Sequence, residues 1–102
     1  IDTALENVDT FTTSTYRAAE YTYVATNAEG DGDSTTGHET GKILIVHDGT
    51  TAQMTQYGIT GTKANPILTF SVDIDSGSVR LRAASAQANT GVRFARLGLA
   101  PL

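Results

Sequence analysis

The sequence predicts an all-β fold: an antiparallel β-sandwich, jelly-roll-like, of about seven to eight strands. Three observations predict it. Thr, Ser and Gly are abundant while Lys, Glu and Leu are scarce, which disfavours long helices and favours strands joined by turns. Apolar residues recur with a period of two. Turn dipeptides separate these runs at a spacing of roughly 8–12 residues, the rhythm of a sandwich or barrel.

Strands are expected near 7–13, 18–28, 41–48, 51–58, 66–74, 77–84 and 91–99. In the second, Tyr21, Tyr23 and Ala25 share one face and Glu20, Thr22, Val24 and Thr26 the other. The third, Ile43-Leu44-Ile45-Val46, is apolar on both faces, the mark of a central strand. Asp48-Gly49 reads as a type I′ hairpin turn and Ser76-Gly77 as a second one. In the fifth, Leu68, Phe70, Val72 and Ile74 alternate with Thr69, Ser71 and Asp73. Val79, Leu81 and Ala83 alternate with Arg80 and Arg82 in the sixth. Val92 and Phe94 alternate with Arg93 and Ala95 in the last. The expected core includes Ile43, Ile45, Phe70, Val72, Leu81 and Phe94.

The 102 residues fit one domain over 1–102, with short tails at 1–6 and 98–102. A chain of this size buries roughly two-thirds of its unfolded surface and needs no metal or disulfide staple. It has no Cys, which excludes disulfides, thiolate zinc sites and cysteine nucleophiles. The net charge of -4 argues against nucleic acid, because phosphate binding needs a basic face. No apolar run approaches the roughly 20 residues of a membrane helix. The sequence starts at Ile1 rather than Met, which suggests a processed chain or part of a larger one.

Several residues invite a chemical reading. Glu29, Asp31 and Asp33 alternate with glycines and could wrap a calcium ion, though the spacing misses the EF-hand pattern. The bland alternative is a solvated, flexible hairpin loop between strands 18–28 and 41–48; if residues 29–40 are ordered, contact with another protein surface is favoured over a cation. Asp31, Asp33, His38 and Glu39 are then its candidate recognition residues. His47-Asp48 contains a base and a carboxylate, but neighbours on a strand point to opposite faces and no G-x-S-x-G elbow accompanies them. Arg80, Arg82 and Arg93 would form one basic stripe facing away from the core if their strands pair, and could meet acidic groups of a neighbouring chain. Tyr16, Tyr21, Tyr23 and Tyr57 are the candidates for stacking on sugar, with core packing the commoner use of a tyrosine pair on one strand face.

The order of these motifs carries a resemblance. Tyr16-Arg17-Ala18-Ala19-Glu20-Tyr21, Ile45-Val46-His47-Asp48-Gly49-Thr50-Thr51-Ala52, Gln56-Tyr57-Gly58, Asp73-Ile74-Asp75-Ser76-Gly77-Ser78-Val79-Arg80-Leu81 and Val92-Arg93-Phe94 follow one another across residues 8–97. The set resembles a β-rich module recurrent in virion structural and tail-fibre-like proteins of tailed phages, especially those infecting cyanobacteria. The Glu29-to-Glu39 segment departs from that module in being longer and more acidic. The resemblance implies a non-enzymatic virion component located in a fibre, neck or capsid-surface appendage. It implies homo-oligomers, other virion proteins as partners, and no cofactor or catalytic residue. The alternative is a carbohydrate-binding module that attaches to host surface glycans.

Overall fold

The computed structural model describes residues 1–27, 36–63 and 66–102. Among these residues seven strands form: β1 (Glu6–Thr12), β2 (Ala18–Asn27), β3 (Gly37–His47), β4 (Ala52–Gly61), β5 (Leu68–Asp75), β6 (Ser78–Ser85) and β7 (Gly91–Leu99). They make two antiparallel sheets, ordered β1-β6-β5 and β4-β3-β2-β7. The fold is an all-β sandwich, as the period-two pattern predicts.

The inner faces supply the core. Ala19, Tyr21, Tyr23 and Ala25 of β2 and Ile43 and Ile45 of β3 are buried against Leu68 and Phe70 of β5 and Val79, Leu81 and Ala83 of β6. Tyr23 and Phe70 meet edge to face, with ring centroids 4.8 Å apart. Val72 is half-buried. Phe94, expected in the core, is 40% exposed. Its ring faces inward onto Tyr21 at 5.7 Å. However, β7 is the edge of a four-stranded sheet covered by only three strands, so one side of the ring meets solvent.

The hairpins follow their turn residues, with one change. Ser76 (φ 51°) and Gly77 (φ 79°) both have positive φ, as a type I′ turn requires. In the β3–β4 hairpin, Asp48 N–H bonds to Thr51 O at 3.1 Å, which makes Gly49 the first central residue. Gly49 has φ 95° and Thr50 is not among the positive-φ residues, so the φ signs are those of type II′ rather than I′. The first residues are also held: Asp2 O accepts from Ser85 N and Thr90 N–H reaches Ile1 O, both at 2.9 Å.

Candidate interaction surfaces

His47 closes β3, where its ring is 4% exposed. Gly49 N–H donates to Nδ1 at 3.0 Å, so that nitrogen is the acceptor. Nε2 then carries the proton and donates to Tyr16 O at 2.6 Å. Asp48 points elsewhere: its Oδ1 accepts from the backbone N–H groups of Thr51 at 2.7 Å and Thr50 at 2.9 Å. Those bonds, Thr51 first, hold its carboxyl below the ordinary range. His47 and Asp48 are turn and packing residues, and both ring nitrogens are occupied.

Glu39 corrects the recognition-loop expectation. It lies on β3 with its side chain turned inward and 3% exposed. Its carboxylate accepts from Tyr23 OH and from Ile67 N–H, each at 2.7 Å. Gln56 Nε2 donates to the same phenol oxygen at 2.9 Å. Burial first, then the bond to Glu39, pushes the Tyr23 phenol well above its ordinary value. This network joins β2, β3 and β4 to the residue that leads into β5. His38 is outward and exposed, with Nδ1 3.0 Å from Thr26 Oγ1. Glu29, Asp31 and Asp33 lie outside the described residues, so the calcium reading and the rest of the loop reading fall there too.

A second network escapes a residue-by-residue reading. Asp9 of β1 accepts Tyr21 OH and Arg96 Nη1 on the same Oδ2, each at 2.8 Å. The Arg96 guanidinium also lies 5.1 Å from the centroid of the Tyr16 ring. The cluster ties the small sheet to the large one at the β1–β7 side. Desolvation, followed by the Asp9 bond, raises the Tyr21 phenol as well. A signal did exist: Arg96 is in phase with Val92 and Phe94, so its charge falls on the inner face and needs a partner there.

The arginine stripe does not form, because β6 and β7 lie in different sheets. Arg80 and Arg82 are on the outer side of the small sheet and Arg93 on the outer side of the large one. Arg80 grips Asp73 with two bonds, Nε to Oδ1 at 2.7 Å and Nη2 to Oδ2 at 2.6 Å. That fork holds Asp73 below the ordinary carboxyl range. Arg82 Nη2 reaches Leu5 O at 3.4 Å.

The outer face of the large sheet is the least expected surface. Leu44 and Val46 of β3 are 45% and 52% exposed there. β3 is central within its sheet, as its apolar pattern predicts, yet among the described residues no layer covers its outer side. Leu97 and Leu99 of β7, 61% and 59% exposed, share that face across β2. Ala18, Leu44, Val46, Gln53 and Thr55 line a shallow depression of about 330 Å³ on it. Tyr57 is exposed on β4, whereas Tyr21 and Tyr23 are core residues.

No protein-family model and no curated protein matches the chain. Fold and surfaces together define its class: a seven-stranded, two-sheet antiparallel sandwich with polar networks tying its sheets together and an uncovered apolar sheet face.

Proposed function

We propose that the chain is a non-enzymatic structural module of a tailed-phage virion. Its place is a fibre, neck or capsid-surface appendage, where it acts in assembly and surface display. One observation carries the reading. Among the described residues, three ionisable side chains that could have served chemistry are committed to holding the sandwich: His47 to Tyr16 O and Gly49 N–H, Glu39 to Tyr23 and Ile67, and Asp73 to Arg80. What the module offers outward is an apolar sheet face. The motif order described above supports the same reading. A carbohydrate-binding module would need an exposed aromatic platform, and two of the four tyrosines are spent in the core.

The test is immuno-electron microscopy with an antibody to this chain on purified particles from the organism that encodes it. Labelling at a defined site on tailed particles is expected. Particles without label, or glycan-array binding by an unassembled monomer, would overturn the reading.

A further inference from the structure

We infer that the outer face of the four-stranded sheet is a homodimer contact, sheet against sheet, with a second copy of this chain as its occupant. The inference rests on the assembly reading above and adds the surface and the partner. Two ladder rows make the apolar part: Leu99–Ala18–Val46 and Leu97–Glu20–Leu44, each running from β7 through β2 to β3. Among the described residues, strands β1, β5 and β6 carry no exposed large apolar side chain; Leu5, just before β1, is exposed. The outer side of the small sheet shows Thr10, Thr69 and Ser71 around the Asp73–Arg80 pair. The two faces of the sandwich therefore differ in kind.

Charge selects the occupant. The chain carries -4 overall, so two copies repel over most of their surface. The outer side of the large sheet holds one acid, Glu20, and two bases, Lys42 and Arg93, among the described residues. This face is therefore free of the excess negative charge. Lys42 Nζ meets Glu20 Oε1 at 3.2 Å beside the apolar rows, with both side chains substantially exposed. A twofold axis that lies in the contact plane and crosses this pair carries each Glu20 over the Lys42 of the other copy. The two pairs then become a four-charge ring in which every charge has an opposite neighbour. An identical face supplies that match, as an isologous contact requires.

Charge-swap variants provide the test, read by sedimentation at about 0.1 mM protein, where a contact of standard size is populated. The wild type should sediment at twice 10.7 kDa. Leu44→Arg should sediment at the monomer mass with an unchanged circular dichroism spectrum. Glu20→Lys alone and Lys42→Glu alone should each lose the dimer, since each places like charges across the axis. Mixed in equal amounts, those two variants should restore it. A monomeric wild type, or a mixture that stays monomeric, would overturn the inference. An oligomer that survives Leu44→Arg would overturn this face while leaving assembly standing. The labelling of particles decides the assembly reading separately.

Discussion

Gly98 makes room for the Tyr16 ring: a Cβ at residue 98 would stand within 2.6 Å of three of its ring carbons. Tyr16 in turn stacks edge to face on Phe11 at 5.6 Å and receives Arg96 on its ring. Its backbone oxygen accepts the hydrogen bond from His47 Nε2. One missing methyl on the edge strand therefore fixes the position of a residue that several elements share.

Gly98→Ala should destabilise the fold by about 1–3 kcal/mol, the usual range for overpacking. Combining it with Tyr16→Leu should give less than the sum of the two single effects, because the clash partner is gone. Urea denaturation of the four proteins in the cycle measures the difference. Full additivity would mean that the ring does not feel residue 98.

Phe70→Ala should lower stability by about 3–5 kcal/mol, as for a buried aromatic. Phe94→Ala should cost about 1–2 kcal/mol, because the half of the ring in solvent contributes no transfer energy. The two values, measured under one set of conditions, separate a core ring from an edge ring. Equal losses would place Phe94 in the core after all.

Glu39→Ala should destabilise by about 2–4 kcal/mol, since Ile67 N–H and Tyr23 OH would both lose an acceptor in a buried site. Glu39→Gln should cost less than Glu39→Ala, because the amide oxygen can still accept one of the two bonds. Hydrogen exchange at the Ile67 amide should speed up strongly in the alanine variant. A slow amide there would refute the assigned bond.

Stability should fall at both ends of the pH scale, for different groups. Asp48 and Asp73 have folded values below the ordinary 3.8. Their contribution is complete above that value and is lost as pH falls through the lower folded ones, so the acid decline should begin below about pH 4. Asp48→Asn with Asp73→Asn should flatten it. Tyr21 and Tyr23 have folded values above the ordinary 10.0. The unfolded phenols ionise first, so stability should drop as pH rises past about 10. Tyr21→Phe should weaken that drop. Thermal melts between pH 2 and 11 check both limbs.

All seven strands were legible in the sequence because period-two alternation and turn dipeptides are local signals. β3 begins at Gly37, four residues before the expected 41, because Gly37-His38-Glu39-Thr40 is polar and reads as loop. It is strand because Thr26 and Ala25 pair with His38 and Glu39, a fact of register rather than composition. Sheet assignment is not local either. Nothing in the β6 or β7 sequence says that β6 sits between β1 and β5 while β7 joins β2. The arginine stripe and a buried Phe94 depended on that assignment, and the fold corrects both. The Asp9–Arg96 pair spans 87 positions and needed the fold to be seen.

The strand directions have a mechanical consequence. Ile1 is bonded at the start of β7, through Thr90, whereas Leu99 is bonded at the start of β2, through Arg17. The first strand thus begins, and the last strand ends, at opposite ends of β7. Tension applied through residues 1 and 102 would run along β1 and β7, parallel to the strands. The β1–β6 and β2–β7 ladders would then be loaded in shear, with all their hydrogen bonds sharing the force instead of opening one after another as in a zipper. Copies joined tail to head would transmit such a pull down their common axis, and their resistance would be set by the unfolding rate rather than by equilibrium stability.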